Sequence, residues 1–572
     1  MPPETEPPAP EVFRRADRLL LGEGDASILV AAPTDEVIGP ARELLARHPE
    51  TARRVAVAAP REIRRALVVR HSLALVRRAV RAILDREPLY SAAHSVSPFQ
   101  ATVVALLAGS WLLAALQLSD VVLVGWTALF LGVGLLRAHI ADTLPTPQPP
   151  SPIDAADLPR FAVLVPLHRE AAVLPDLVAA LTRFDYPADR LDLRLVMEAD
   201  DVETLAAAEV ALAGTPVETI VVPPAEPRTK PKALNFALAC VDAPFVTIFD
   251  AEDRPDPDQL RKAAAAFHAA GPDLAVVQAA LEIDHAESDR PWLVRQFEFE
   301  YAMLFHGLLP WLARHRFFLP LGGTSNHFRR AALEDIGGWD PHNVTEDADV
   351  AVRLMRKGWR ADVLAAATLE EAPLDLARWH AQRIRWLKGW MLTWLVHMRR
   401  PARFHREVSL LGAASFHLVL AGQLVSVLVF LPSLVLFALE ALGLLPLFGD
   451  RGFFGDMVLM AGLLGFTSGL GGSLVLALRV APRAFTTRRR RFRRFDVLTM
   501  PFYWCLVSIA AYRAVAELAV APHRWNKTSH GLATRASGST GVAGAEETNR
   551  PPCASPVAEA MEGNLRAGVV QG

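Results

Sequence analysis

Long apolar runs alternate with charged and polar stretches along this chain of 572 residues. The apolar segments lie at 99–117, 121–140, 410–446, 455–479 and 497–521. Each is about as long as the roughly 20 residues that a helix needs to cross a bilayer, or longer. Because 52% of the residues are hydrophobic and the charged ones lie mostly elsewhere, part of the chain is predicted to be integral to a membrane.

Between residues 161 and 250 the pattern changes to short apolar runs separated by helix-like stretches. The strand-like runs are "FAVLVPL", "LDLRLVM", "VETIVVP" and "FVTIFD". Such alternation predicts a parallel sheet with helices on both faces, which binds ligands at the carboxyl ends of its strands. Nearer the N-terminus, "ASILVAA", "VIGPARELLARH", "RVAVAA" and "LALVRRAVRAILDRE" predict a smaller α/β module.

These patterns predict five parts, with an α/β domain inserted between transmembrane α-helices. They are a soluble N-terminal module (1–95), a transmembrane hairpin (99–140), the α/β domain (155–400), transmembrane or interfacial helices (405–521) and a disordered tail (531–572).

The positive-inside rule predicts which of these parts face the cytoplasm. It places the arginine-rich loop at 479–494 there, together with the α/β domain. The 410–446 segment must then cross once. The segment at 497–521 stays open, because Arg513 and Glu517 within it favour a partly interfacial helix.

Composition excludes several classes of protein. A formal net charge of -2 gives no reason to expect a nucleic-acid partner. The three cysteines form no CxxC or Cys/His spacing, so neither a disulfide framework nor a zinc site is indicated. The N-terminal residues lack the apolar core of a signal peptide, so insertion is expected to use the internal segments.

Three motifs lie in one region flanked by the apolar runs: "GGTSNHF" at 322–328, "TED" at 345–347 and "QRIRW" at 382–386. A cluster of acids ends the strand-like run "FVTIFD" upstream. This order resembles the processive glycosyltransferases of family 2, which include the cellulose, hyaluronan and chitin synthases. The resemblance covers roughly 158–400. It implies the nucleotide-sugar-binding fold called GT-A and inverting transfer from a UDP- or GDP-sugar to a growing glycan or lipid acceptor.

The acid cluster consists of Asp250, Glu252 and Asp253. Transfer from a nucleotide diphosphate needs a cation on the leaving group, and hard oxygen ligands suit Mg²⁺ or Mn²⁺. The family's usual motif is DxD, so whether Glu252 or Asp253 is the second ligand is open. The alternative is a solvated turn, since the turn-like "DRPDPDQ" follows.

Charged residues at other predicted strand and helix ends stand where the family binds the donor nucleotide. The resemblance implies donor contacts by Glu170, Glu198, Asp200, Asp201 and Lys232. In the family an Asp contacts the uracil and ribose, and Asp200 or Asp201 would do so. Lys230 and Lys232 both offer cations to the diphosphate. Taken singly, such residues are more often solvated than functional, and their order along the chain favours function.

An inverting displacement needs one general base near the acceptor hydroxyl. Asp347 of "TED" is the candidate, and Glu346 would support or orient it. The alternative is a helix cap, because Thr345 followed by acids is typical of a helix start. Both can hold, since the start of a helix can present a carboxylate to a cleft.

The segment "LARWHAQRIRWLKGWMLTWL" predicts one helix, on which Gln382, Arg385 and Trp386 share a face. In the resembling family this face meets the acceptor and the diphosphate. Trp386 can stack on a sugar, and Arg385 can neutralise phosphate charge. The other tryptophans of this helix are equally typical of packing or of an interfacial membrane helix.

The sequence therefore predicts an inverting glycosyltransferase that extends a polysaccharide at the inner membrane. One alternative is transfer of a single sugar to a polyprenyl phosphate, although simple lipid-phosphate transferases usually lack "QRIRW". Another is a non-catalytic envelope or secretion component, because "REIRRAL" and "AVRAILDREPLYSA" resemble the N-terminal domain of type II secretion ATPases. No P-loop accompanies that resemblance. The segment "PHRWNKTSHG" at 522–531 resembles the gating loop of the synthases.

Overall fold

The structure is a computed structural model. It describes residues 12–13, 18–21, 28–94, 100, 102, 109, 120–144, 147–285, 290–444, 452–486 and 493–523. The first apolar run, the middle of the arginine loop, most of the 522–531 segment and the tail lie outside these residues.

The N-terminal module is a small α/β unit, as the pattern predicts. Its elements are the strands Arg18–Leu21 (β1), Ile28–Ala31 (β2) and Val55–Val57 (β3), and the helices Asp35–Arg47 (α1), Pro60–Arg70 (α2) and Ser72–Arg86 (α3). Strand β2 pairs antiparallel with β1 and parallel with β3. The sequence analysis missed β1 and α2, because "RLLL" is short and α2 is rich in arginine. The apolar helix Asp120–Thr143 (α4) follows the module.

A mixed eight-stranded sheet forms the centre of the α/β domain. Its strands are Phe161–Leu167 (β4), Leu191–Glu198 (β5), Glu218–Val222 (β6), Phe245–Ile248 (β7), Arg254–Pro255 (β8), Leu274–Ile283 (β9), Asn326–Arg329 (β10) and Arg360–Glu370 (β11). They lie in the order β6-β5-β4-β7-β10-β9-β11-β8. The four strands from β4 to β7 are parallel as predicted. Strand β10 is antiparallel to both neighbours, so a fully parallel sheet is wrong. The sequence of these four residues gives no indication of the direction in which the strand pairs.

Helices pack around this sheet. They are Leu174–Leu181 (α5), Val202–Ala211 (α6), Lys230–Cys240 (α7), Gln259–Ala269 (α8), Trp292–Met303 (α9), Leu309–Arg314 (α10), Arg330–Asp335 (α11), Glu346–Arg356 (α12), Leu376–His397 (α13) and Pro401–Glu407 (α14). A π-helical turn at Leu304–Leu308 joins α9 to α10. Helix α13 covers the segment predicted as one helix, and Asp375 caps it by accepting from the Arg378 backbone N–H at 2.9 Å.

The remaining helices are strongly apolar, except for the short helix Arg494–Leu498, which contains Arg494 and Asp496. They are Leu410–Phe416 (α15), Gln423–Ala441 (α16), Gly452–Thr486 (α17), Arg494–Leu498 (α18) and Met500–Val520 (α19), and a π-helical turn joins α15 to α16. In the described part of the chain, four helical stretches are long and apolar enough to cross a membrane. These are Val124–Thr143, Leu410–Leu439, Gly455–Ala484 and Met500–Val520.

Helices α4 and α17 run parallel in close contact. A Cβ on Gly465 would lie 2.9 Å from the backbone of Thr127, and one on Gly472 would lie 2.2 Å from the Gly134 carbonyl oxygen. Because both residue numbers rise together, the helices point the same way. Small residues permit this approach, as is common between membrane helices.

Helix α19 lies along α13 in the same direction. The contacts begin where Trp379 Nε1 donates to the Tyr503 hydroxyl at 3.1 Å and extend to Lys388 Nζ and Glu517 at 3.1 Å. Helix α19 thus packs against the α/β domain, to which α13 belongs, and also contacts α16, where the Tyr512 hydroxyl donates to the Leu428 carbonyl oxygen at 2.7 Å.

Candidate active site

A cleft of about 290 Å³ opens at the carboxyl edge of β4, β5 and β7, where an α/β sheet normally binds its ligand. Of the predicted site residues it is lined by Glu170, Glu198, Asp250, Glu252, Glu346, Asp347, Gln382, Arg385 and Trp386. Asp200, Asp201, Lys232 and Asp253 do not line it. The structure thus brings together side chains that lie more than 200 residues apart, although their roles stay predictions.

Only two of the three acids in the cluster reach the cleft. Asp250 and Glu252 line the cleft, whereas Asp253 is 1% exposed and turned inward. Its Oδ2 accepts from the Asp250 backbone N–H at 2.7 Å and from the Thr324 hydroxyl. Burial, then the charges of Asp250 and Glu252, raise the pKa of Asp253 well above its ordinary value. Asp253 therefore shapes the turn, and Glu252 is the one of the two acids that lines the cleft.

The two lysines at the start of α7 face different surroundings. Lys230 lines the cleft, and its Nζ donates to Asp250 and, at 2.7 Å, to the Gly323 carbonyl oxygen. Lys232 is fully buried and donates to Glu198 at 2.9 Å. Positions two apart point to nearly opposite sides of a helix. Lys230 therefore lines the cleft, whereas Lys232, which was predicted to contact the donor, lies outside it.

The turn after β4 contains a strained residue. Arg169 has a φ of +55°, a left-handed conformation that Asn adopts far more readily. Asp201 accepts from the Arg169 backbone N–H and caps α6 through the Thr204 N–H at 3.4 Å. Burial alone would raise the pKa of Asp201, but these hydrogen bonds outweigh it and hold the pKa below its ordinary value. Asp201 holds this turn, which presents Glu170 to the cleft.

Asp200 is partly exposed and pairs with Arg228, which itself lines the cleft. A nucleotide that reached Asp200 would have to displace or share this guanidinium. Sequence reasoning missed Arg228, because an arginine in the loop "PAEPRTKPK" resembles any solvated loop residue.

The "TED" motif lies at the start of α12. Thr345 occupies the N-cap position but makes no side-chain cap, and its Oγ1 is buried without a hydrogen-bond partner in the described part of the chain. The helix therefore begins where the capping alternative placed it, but the Thr345 side chain does not cap it. Asp347 Oδ1 accepts from the Ala348 N–H at 2.8 Å, and a Cβ on Gly323 would lie 3.6 Å from Oδ2.

Both acids of "TED" have raised proton affinity. Burial raises the pKa of Glu346 to about 7, with Lys230 opposing and Asp347 adding to the shift. Burial also raises the pKa of Asp347, while the Ala348 N–H and the charges of Lys230 and Arg385 oppose it. A carboxylate with a raised pKa beside cations is the environment of a general base.

Helix α13 contributes Gln382, Arg385 and Trp386 from one face. Gln382 is 5% exposed, and its Oε1 lacks a hydrogen-bond partner in the described part of the chain. The guanidinium of Arg383 lies 4.8 Å from the centre of the Trp386 ring and forms a bidentate pair with Glu300 at 2.5 and 2.6 Å. Arg383 thereby holds the indole in place from the side away from the cleft.

Only the first half of "GGTSNHF" reaches the cleft, through Gly322, Gly323 and Thr324. Asn326 and His327 are buried in β10. Burial lowers the pKa of His327 to about 3, and its Nδ1 contacts the Thr247 hydroxyl at 2.7 Å. His327 therefore belongs to the core.

Four further residues line the cleft that were not predicted as site residues. Tyr301, His342, Trp390 and His523 line the cleft. His523 Nδ1 lies 3.2 Å from the His342 carbonyl oxygen, so the segment predicted to resemble a gating loop begins at the mouth of the cleft. These residues come from elements that meet only in the fold.

Comparison with known proteins agrees with this geometry. Residues 159–389 match the family model described as "Glycosyltransferase like family 2". The probable glucomannan 4-beta-mannosyltransferase 10 of Arabidopsis thaliana is 28% identical over 242 residues, 40% of this chain and 43% of that protein. The probable glycosyltransferase YdaM of Bacillus subtilis is 26% identical over 241 residues, 41% and 56% of the two chains. The chain thus spans about half the length of these relatives.

Among solved structures, the mannosyltransferase PcManGT from Pyrobaculum calidifontis in complex with GDP-Man and Mn²⁺ is similar at 19% identity. Its TM-score is 0.44, and the match covers 70% of this chain and 99% of that one. By sequence, residues 159–389 are similar to the family 2 glycosyltransferases, and the prediction of a glycosyltransferase is confirmed.

Proposed function

We propose that the chain is an inverting glycosyltransferase that takes a nucleotide-diphospho-sugar from the cytoplasm and extends a polysaccharide at the inner membrane. One observation carries the proposal. Asp250 and Glu252, which follow the end of β7, share a cleft with the half-buried carboxylate of Asp347. The relatives named as glucomannan mannosyltransferases make GDP-mannose the first donor to test and a polysaccharide the first product to seek.

The donor diphosphate fits the basic part of the cleft. Lys230 and Arg385 face it from opposite elements, α7 and α13. Burial alone would lower the pKa of Lys230, but Asp250 and Glu346 raise it above its ordinary value, so the ammonium stays charged. Two cations on facing helices would hold the phosphates while leaving the sugar beside "TED".

The acids at the end of β7 fit a divalent cation that is completed by the substrate. In the described part of the chain no group of three or more His, Cys, Asp or Glu residues forms a ready metal site. Asp250 and Glu252 offer two carboxylates, and Mg²⁺ commonly binds one or two carboxylates together with phosphates and waters. The buried Oδ1 of Asp253 also lacks a hydrogen-bond partner there, and a cation would offset the repulsion among these carboxyl groups that adds to burial in raising the pKa of Asp253.

Bound Mg²⁺ or Mn²⁺ would neutralise charge on the departing diphosphate. Asp347 would accept the proton of the acceptor hydroxyl. The hydroxyl oxygen then bonds to C1 of the sugar as the bond from C1 to the diphosphate oxygen breaks, and the nucleoside diphosphate leaves. Glu346, whose pKa is about 7, lies next to the base and can share its proton.

The acceptor fits the aromatic end of the cleft. Trp386, Trp390 and Tyr301 line it, and aromatic rings can stack on the apolar faces of sugars. Several rings in one cleft support binding of an extended glycan, because each ring can contact a separate sugar unit. This is the basis for proposing polymer extension.

The test is a donor screen with the purified full-length chain in detergent. GDP-mannose, GDP-glucose, UDP-glucose and UDP-N-acetylglucosamine are offered with Mn²⁺ or Mg²⁺ and with an oligosaccharide acceptor, and labelled product is measured. We expect one donor to give a product that lengthens with time and is lost with EDTA. Hydrolysis and transfer that are absent for every donor would contradict the proposal.

A further inference from the structure

A second cavity, of about 280 Å³, lies between α13 and α19. Helix α13 contributes His380, Arg385 and Lys388, which recur at the spacing of one helix face, and α19 contributes Arg513 and Glu517 one turn apart. Arg385 also lines the active-site cleft, so the two cavities adjoin at this residue. The proposed function does not use this second cavity.

The cavity carries an excess of positive charge. The described lining residues include three cations, Arg385, Lys388 and Arg513, and one carboxylate, Glu517. The cavity therefore has a formal excess of two positive charges. Glu517 already pairs with Lys388, whose side chain is 1% exposed. Helix α13 buries the Arg385 Nε, which has no hydrogen-bond partner in the described part of the chain. An anionic ligand would balance this charge and would offer a hydrogen-bond acceptor to the buried Arg385 Nε.

The surroundings of the cavity are apolar. On α19, Ile509 and Val515 are 45% exposed and Val520 is 81% exposed, although Arg513 lies among them. The Tyr512 hydroxyl donates to the Leu428 carbonyl oxygen at 2.7 Å, which joins α19 to the membrane-length stretch Leu410–Leu439. The cavity therefore lies where the catalytic domain meets the apolar helices. A ligand suited to it has an anionic head and an apolar body.

Guanidinium and ammonium groups together are typical binders of phosphate, and basic pockets beside membrane helices bind lipid head groups. We propose that this cavity binds the phosphate of a membrane lipid, at a site separate from that of the donor diphosphate. Arg385 would then contact the donor on one side of α13 and border the lipid phosphate on the other. The inference does not depend on glycosyl transfer, because lipid binding is measured without a sugar donor.

The experiment uses the purified full-length chain in a neutral maltoside detergent and native mass spectrometry. The probes are dioleoyl-phosphatidylglycerol, dioleoylglycerol as the matched lipid without phosphate, and inorganic phosphate. We expect phosphatidylglycerol to bind and dioleoylglycerol not to. Arg513→Gln should weaken phosphatidylglycerol binding roughly tenfold, the effect of losing one charge-assisted hydrogen bond.

Two further variants sharpen the result. Glu517→Gln removes the only carboxylate and should tighten phosphatidylglycerol binding. Arg378→Gln, an exposed position of α13 that pairs with Asp375 and does not line the cavity, should leave it unchanged. Thermal unfolding and nucleotide binding of all three variants check that each is folded.

Several results would overturn the proposal. Equal binding of the two lipids would show that no phosphate is recognised. Equal effects of Arg513→Gln and Arg378→Gln would show that general surface charge is responsible. Inorganic phosphate that binds with the same sensitivity to Arg513→Gln, in the absence of lipid binding, would make this a site for free phosphate.

Discussion

The donor side and the acceptor side of the cleft are built in different ways. On the donor side, Asp250 and Glu252 follow β7, which pairs parallel with β4 in the same α/β domain. On the acceptor side, Asp347 and Trp386 stand on α12 and α13, which are held by segments far away in the sequence. The first side is specified locally and the second by long-range contacts.

The loop before "TED" is held by the N-terminal module. Asp340 is fully buried and accepts from the Ser91 hydroxyl at 3.1 Å and from the Ala92 backbone N–H at 2.5 Å. Nearby, the Arg356 guanidinium of α12 lies 4.2 Å from the centre of the Tyr90 ring. The end of the N-terminal module therefore contacts both the loop and the helix that carry the proposed base.

Helix α13 is held from its other side by the apolar helices. Arg383 pairs with Glu300 of α9, and the Tyr503 hydroxyl of α19 donates to the same carboxylate at 2.5 Å. The difference between the two sides teaches that distant changes should impair acceptor use while donor binding survives.

Asp347→Asn should have the largest effect. It keeps the size of the side chain and an oxygen that can accept from the Ala348 N–H. Loss of a general base typically lowers rates about 10²- to 10⁴-fold, so sugar transfer should fall by that order. Nucleotide binding measured by calorimetry should stay within a few-fold of wild type. A matched drop in both would assign Asp347 to the donor side.

Asp250→Asn should remove the metal-dependent part of donor binding. The amide is a poorer ligand for a hard cation, so Mn²⁺ should no longer strengthen binding of the nucleotide-sugar. Asp258→Asn is the control, since Asp258 is about half exposed and pairs with Lys262 away from the cleft. If wild type binds the donor equally tightly with Mn²⁺ and with EDTA, a divalent cation does not contribute to donor binding.

Gly389→Ala should disturb the acceptor side from within α13. A Cβ at this position would lie 2.3 Å from the Thr345 Oγ1, so "TED" must shift. Overpacking costs about 1–3 kcal/mol of stability, and transfer should fall by about tenfold while donor affinity is kept. Gly471→Ala in α17, where nothing lies within 4 Å of the new Cβ, is the control and should behave as wild type.

Asp340→Ala should have the smallest effect on catalysis. It leaves the Ala92 N–H without its acceptor, which costs about 1–3 kcal/mol of stability. Transfer should fall only a few-fold, through a higher KM for the acceptor. Ser91→Ala removes one of the same hydrogen bonds and should show a weaker form of the change. A loss of donor affinity in Asp340→Ala would mean that the two sides are not separable.

The local part of this architecture was predictable from sequence. Strand β4 begins and ends at the predicted residues, because a buried parallel strand is a continuous apolar run. Helix α13 was predictable from its length, and the shared face of Gln382, Arg385 and Trp386 from the helical period. These signals lie within a few residues of one another.

The long-range part was not predictable, since it depends on side-chain directions that only the packed fold decides. Asp253 looked equivalent to Glu252 until burial against Thr324 separated them. Lys232 looked equivalent to Lys230, although Glu198 draws it into the core. The same holds for the antiparallel pairing of β10 and for the hydrogen bond between Ser91 and Asp340. Both join segments whose sequences do not indicate that they contact each other.

The most direct test measures donor binding and sugar transfer in one preparation of the full-length chain, for wild type, Asp250→Asn and Asp347→Asn. The account predicts that Asp250→Asn loses Mn²⁺-dependent binding and transfer together, whereas Asp347→Asn binds the nucleotide-sugar normally and fails to transfer it. Near-normal transfer by Asp347→Asn would contradict the assignment of "TED" as the base and the proposed reaction with it.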